Sequence, residues 1–252
     1  MSKKNLKRNG RYLYAIIEAS EEKTFGSIGM DGSDVYLIVE DKTAAVVSDV
    51  PNKKIRPQRK NIAAHHAVLN KIMEEITPLP MAFGIIADGE QAIRKILADN
   101  RDVFREQFAT VSGKVEMGMR ISYDVPNIFE YFISTDSEIR AARDQYFGGN
   151  REPSQEAKLE LGRMFNRQLN ANREEYTNQV IEILDDYCDD IKENKCRNEQ
   201  EVTSLACLIN RSDQKRFEEG VFESARHFDN NFSFEYNGPW SPHNFVNILI
   251  EL

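Results

Sequence analysis

Hydrophobic and polar positions follow different rhythms along the chain, and each change of rhythm marks an expected element. From Tyr12 to Ala19 aromatic and β-branched residues run almost unbroken, the pattern of a buried strand. The turn-forming "GMDGSD" (Gly29 to Asp34) leads into Val35 to Glu40, and after a turn at Lys42 comes Thr43 to Ser48; the two segments read as a hairpin. Beyond Pro57 the period becomes helical. Ile62, Leu69, Ile72, Met73 and Ile76 share one face, and "TPLP" at Thr77 to Pro80 ends the run. Met81 to Ala87 reads as a short strand. Ile93, Ile96 and Leu97, then Phe104 and Phe108, mark one or two further helices, and Val111 to Tyr123 returns to alternation through Val115, Met117, Met119 and Ile121.

The second half has a different texture. Phe129 to Phe147 is polar and spotted with aromatics, and it runs into "GGNREPS" (Gly148 to Ser154), an expected protease-sensitive loop. Ser154 can cap a long helix, because Leu161, Phe165, Leu169, Tyr176, Val180, Leu184, Tyr187 and Ile191 recur at helical spacing. The spacing predicts a helix from Ser154 to Ile191 with a kink at "NANRE", Asn170 to Glu174. Strand-like Val202 to Ile209 follows, then a helix with Phe217, Val221, Ala225 and Phe228 on one face, then the strand Asn231 to Tyr236. The order strand, turn, helix, strand therefore occurs in each half. This predicts an α+β chain of two domains: an N-terminal one over residues 1–110, and a C-terminal one over 111–252. The second is expected as a modified ferredoxin-like sandwich with a long helix and an aromatic, proline-rich tail. Such a plan implies an architecture and no particular activity.

Composition narrows the class. With 40% hydrophobic and 29% charged residues the chain reads as a soluble globular protein, and its longest apolar runs are strand-sized, too short to span a lipid membrane. The opening "MSKKNLKRNG" is basic but lacks an apolar core and cleavage site, so no export signal is read. Three cysteines without zinc-type spacing suit a reducing cytoplasm. A net charge of −8 argues against a nucleic-acid partner, and the basic run "NKKIRPQRK" (Asn52 to Lys60) reads as a solvated loop.

Candidate chemistry is sparse. His65 lies beside the buried stripe of its helix, with His66 next to it, and neither has a partner pattern such as H-E-x-x-H. A rival reading, a cytoplasmic enzyme or ligand-sensing module, would have to use His65 or His66 with a carboxylate such as Asp88. The run "DDYCDDIKE" (Asp185 to Glu193) reads as a solvated acidic face, since a calcium loop needs oxygens around a sharp glycine turn. No phosphate loop and no nucleophile elbow occur. No metal, cofactor or catalytic residue is expected, and the chain does not read as an enzyme.

The final stretch is the most specific. "YNGPWSPHNFV" (Tyr236 to Val246) resembles the C-terminal signature of the gas vesicle protein F/L family, through Gly238, Pro239, Trp240, Pro242 and Phe245. Ser241 and His243 stand where that signature usually has proline and tyrosine. "RYLYAII" (Arg11 to Ile17), "PLPMAFGIIA" (Pro78 to Ala87) and "KVEMGMRI" (Lys114 to Ile121) are similar to further family segments in the same order. Ala82, Ile85 and Met117 replace the arginine, threonine and tryptophan usual there. The resemblance implies a minor structural or assembly component of the gas vesicle, a hollow protein organelle within the cytoplasm. It also implies partners: the small hydrophobic wall protein and other accessory vesicle proteins. Two roles are open for the tail. Pro239 and Pro242 can rigidify a staple that buries Trp240, or the same residues can form a partner-docking surface.

Overall fold

The computed structural model describes residues 10–148 and 154–249. Its contacts divide the chain into two compact units. One runs through Glu116 and includes the stretch from Pro239 onward; the other is Met117–Gly238. This differs from the expected layout of 1–110 and 111–252, which kept the tail with the second domain. The reason is local: Phe245 is buried and Asn244 bonds to Glu116, so the tail packs with the first unit.

In the first unit, strands β1 (Gly10–Glu18), β2 (Thr24–Gly26), β3 (Val35–Glu40) and β4 (Thr43–Val50) precede helix α1 (Arg59–Met73). Two short strands, β5 (Leu79–Pro80) and β6 (Ile86–Asp88), follow, then helices α2 (Gly89–Asp99) and α3 (Arg101–Val111). The sheet order is β2-β3-β4-β1-β5, with β6 also on β1, and the pairings within it are antiparallel. β1 therefore sits between two neighbours with both faces covered, which is why its sequence is apolar without alternation. The expected hairpin forms as β3 and β4, paired from Val35–Ser48 to Glu40–Thr43, with Asp41 at φ 59° in the turn.

Two expectations for this unit change. Met81 to Ala87 is not one strand, because the segment breaks between β5 and β6 at a turn in which Gly84 takes φ 94°. The break lets the Gly84 N–H reach the Tyr12 hydroxyl at 3.0 Å. On α1, His65, Val68, Leu69, Ile72 and Met73 are buried, but Ile62 is 37% exposed. The stripe that faces the sheet starts one turn later than the pattern indicated.

The second unit takes most of β7 (Lys114–Tyr123), then α4 (Ile128–Thr135), α5 (Ser137–Phe147), α6 (Gln155–Leu184), β8 (Asp190–Glu193), β9 (Glu201–Asn210), α7 (Gln214–Ala225) and β10 (Phe232–Trp240). Its sheet order is β10-β7-β9-β8, so the fourth, first, third and second strands lie side by side. With α6 and α7 as the two crossovers this is the ferredoxin-like plan, modified by two extra helices after β7. Pro239 fits because β10 is an edge strand, where a missing N–H breaks no inner ladder.

The polar region Phe129 to Phe147 turns out helical, and its caps are local. Asn127 accepts from Phe129 N (2.9 Å) and Glu130 N (3.3 Å), and Asp136 from Glu138 N (2.8 Å) and Ile139 N (2.9 Å). Ser154 caps α6 as expected, its Oγ accepting from Ala157 N at 3.1 Å. The expected kink at Asn170 to Glu174 is absent, because those polar residues bond onward. Gln168 donates to Asn172 at 2.9 Å, and Arg173 donates to the Glu201 and Asn198 carbonyls at 2.9 and 2.6 Å. The helix stops at Leu184, and Ile191 belongs to β8. The loop expected at Gly148 to Ser154 falls largely on residues outside the described ones.

Gly220 carries the packing of α7 on α6. A Cβ there would lie 2.7 Å from the Tyr187 ring and 3.1 Å from Leu184 Cδ2. Gly220→Val is therefore expected to cost roughly 1–3 kcal/mol, the usual penalty of overpacking, as a lowered midpoint in urea unfolding.

Candidate functional site

Two groups of residues matter, both in the first unit. The first lies against β1. Tyr12 and Tyr14 are fully buried, so their hydroxyls need protein partners. The Tyr14 hydroxyl accepts from Met30 N at 2.8 Å and pairs with Ser48 Oγ at 2.8 Å. The Tyr12 hydroxyl accepts from Gly84 N, so its own proton is directed at His65 Nδ1, 3.0 Å away. That leaves the proton of the neutral imidazole on Nε2, which is buried with no well-aligned partner among the described residues. Burial pushes the His65 pKa down to about 4, with the neighbouring His66 and His243 adding to the shift and the Met81 backbone partly opposing it. Burial also pushes both tyrosine hydroxyls up.

His65 is thus a neutral core residue ringed by Tyr12, Tyr14, Phe83 and His66 at centroid distances of 5.7 to 5.9 Å. The rival reading would use His65 or His66 with Asp88; beside His65 the structure places Tyr12, while His66 is exposed. Among the described residues the His65 ring has no carboxylate partner, and Asp88 accepts from the Asn52 side chain at 3.2 Å. No cluster of three or more His, Cys, Asp or Glu side chains suited to a metal occurs among the described residues. No described helix is long and apolar enough to cross a membrane.

The second group is the tail. β10 carries Gly238 and Pro239 to Trp240, and Gly238 takes φ 131°, a conformation open to glycine and costly to other residues. After Trp240 the chain turns inward. Ser241 and Pro242 are buried, and Phe245 is only 5% exposed. Asn244 clamps this docking through two bonds to the buried Glu116 carboxylate, backbone N to Oε2 at 2.8 Å and Nδ2 to Oε1 at 2.7 Å. Asn247 N donates to Gln107 Oε1 at 2.8 Å, and the His243 ring stands 5.9 Å from that of His66. Ser241 Oγ is buried with no partner among the described residues, at the position where the resembled signature has proline.

Trp240 itself is 42% exposed. The buried aromatic of the tail is thus Phe245, whereas one of the two roles open for the tail would bury the indole. Phe245 and the Asn244–Glu116 clamp hold the tail, while the tryptophan is left at the surface. The sequence held one sign of the clamp, a glutamate at an apolar-flanked strand position in "KVEMGM", but only folding pairs Glu116 with Asn244, 128 residues away.

Comparison with known proteins matches residues 10–247 to the family model "Gas vesicle synthesis protein GvpL/GvpF". The chain is 24% identical to the gas vesicle protein F of Nostoc sp. over 95% of its own length and 99% of that protein. It is 23% identical to the gas vesicle protein L1 of Halobacterium salinarum over 94% and 90%. Among solved structures, that of GvpF from Anabaena sp. superposes with a TM-score of 0.82 at 23% identity, covering 96% of this chain and all of the other. GvpF from Microcystis aeruginosa gives 0.77 at 20% identity, covering 95% of this chain and all of the other.

The two groups lead to separate stability measurements. An unfolded histidine takes up its proton near pH 6.5, whereas folded His65 does so only near 4, so the unfolded chain holds more protons between these values. His65 then contributes its full stability above pH 6.5 and loses it as the pH falls towards 4, by roughly 3 kcal/mol at 1.36 kcal/mol per pH unit. Urea unfolding across this window should show a steeper acid loss in the wild type than in His65→Gln. For the tail, Phe245→Ala should cost roughly 3–5 kcal/mol as a buried aromatic, and Trp240→Ala measurably less, because its ring is covered only in part. Equal losses in the two variants would contradict this division of labour.

Proposed function

The chain belongs to the gas vesicle synthesis protein GvpL/GvpF family, and from that premise we propose that it is a minor structural or assembly component of the gas vesicle. In this reading it works at the vesicle within the cytoplasm and associates with the small hydrophobic wall protein and with other accessory vesicle proteins. It uses no cofactor and catalyses no reaction. The observation that carries the reading is the posture of Trp240. A large aromatic ring stays 42% exposed between the edge strand β10 and a segment anchored by Phe245. Exposed, rigidly held aromatics of this kind are typical anchors of protein interfaces, because they bury much area at little entropic cost.

The enzymatic alternative finds no support in His65. Its ring is sealed in the core, and its Nδ1 is engaged by Tyr12. Gly238, Pro239 and Pro242 serve the docking reading by aiming and stiffening the segment around the indole, while Phe245 supplies the anchor.

Co-expression of the tagged protein with a hydrophobic wall protein, followed by affinity purification, tests this. Wall protein should co-purify with the wild type. Trp240→Ala should retain at least tenfold less while staying folded, with a melting temperature above that of Phe245→Ala. Undiminished co-purification with Trp240→Ala would remove the tryptophan from the interface, and absence of wall protein from the wild-type sample would remove the partner.

A further inference from the structure

A second surface of the first unit has a chemistry of its own and shares no residue with the tail. A groove of about 520 Å³ opens between the loop that follows β1 and the end of α1. Its floor is apolar. Phe25 of β2 and Ile76, just past α1, are half-buried there, above the fully buried core residues Leu37 and Ile72. Its rim is acidic: Glu18, Glu21, Glu22 and Glu75 are all exposed, and Lys23 is the one cation among the lining residues.

The groove already holds one ligand-like group. The Lys23 ammonium lies 5.2 Å from the centroid of the Phe25 ring and forms an ion pair with Glu75 across the groove. Glu18 accepts from the Ser112 hydroxyl at 3.0 Å. Among the described residues Glu21 and Glu22 have neither hydrogen bond nor ion pair, so the loop sets two exposed carboxylates beside an apolar floor.

We propose that this groove docks a cationic amphipathic segment of a partner protein, one that sets apolar side chains on Phe25 and Ile76 and lysines or arginines on Glu21, Glu22 and Glu75. The arrangement selects such a segment over a small amine. Exposed ion pairs are individually weak and screened by salt, so a single cation gains little, whereas several cations carried on one apolar strip add to its burial. The floor by itself would accept any apolar group, and the rim excludes acidic ones through like-charge repulsion. Lys23 is the chain's own occupant of one cation position, and the partner must displace it. This reading is independent of the tryptophan surface, and each can fail alone.

A fluorescein-labelled leucine–lysine peptide of about 18 residues at helical spacing is the probe, titrated by anisotropy. It should bind the wild type, with amide shifts in NMR spectra concentrated over Ser20 to Phe25 and Ile72 to Ile76. Affinity should weaken with added salt. Glu21→Lys combined with Glu22→Lys, both exposed and so expected to fold, should weaken binding at least tenfold. Lys23→Ala should tighten it several-fold, because the internal competitor is gone. Control peptides with leucine replaced by serine, or lysine by glutamate, should not bind. Failure of the leucine–lysine peptide to bind, equal binding by the serine peptide, or indifference to the double charge reversal would overturn the proposal. So would a self-associated wild type that the double reversal converts to monomer, since the groove would then belong to a second copy of this chain.

Discussion

The first unit depends on the need to satisfy two tyrosine hydroxyls in the middle of a buried strand. Tyr12 and Tyr14 are fully buried on β1, and each unpaired hydroxyl there would cost roughly 1–3 kcal/mol. Their partners come from four different places: Ser48 on β4, the turn at Met30, the broken strand at Gly84 and His65 on α1. The two side chains thereby tie β4, a turn, the β5–β6 break and the helix to one strand. The break has a physical purpose in this light, because a continuous strand would spend the Gly84 N–H on a ladder and leave Tyr12 without its donor.

The neutral state of His65 follows from the same arrangement. It accepts the Tyr12 proton, lies beside two other histidines, and is removed from water, so all three influences favour the uncharged ring. A histidine held in this way is a structural part with a pH-dependent cost. The pair His65–His66 looks like chemistry in a one-dimensional reading, but α1 turns the first inward and leaves the second exposed.

The tail motif holds aromatics in two different environments. Anchoring falls to Phe245 and to the Asn244–Glu116 clamp, where a buried carboxylate gains two hydrogen bonds in place of lost water. Trp240 lies at the end of an edge strand that Pro239 blunts against further pairing, and its ring stays partly exposed. The groove at the end of α1 joins two characters in one place, an apolar floor under an acidic rim.

Much of this was legible in the chain itself. Periodicity alone located the β3–β4 hairpin, the α1 helix, β9 and α7, because each buries one face and the 2 or 3.6 period records which residues lie on it. The alternation of strands and helices gave the ferredoxin-like plan of the second unit, and the signature around Trp240 pointed to the family. The helices α4 and α5 were missed because they are short, eight and eleven residues, and so show too few turns for a clear period, though Asn127 and Asp136 marked their caps. The end of α6, the β5–β6 break and the home of the tail were decided by tertiary contacts. Arg173 straightens α6 by bonding to carbonyls 25 and 28 residues away, and Glu116 recruits Asn244 from 128 residues away. Sequence patterns report which face of an element is buried; they do not report which distant group satisfies a buried polar atom. That choice made Phe245 the buried aromatic of the tail, since only the folded chain covers its ring almost completely and that of Trp240 only in part.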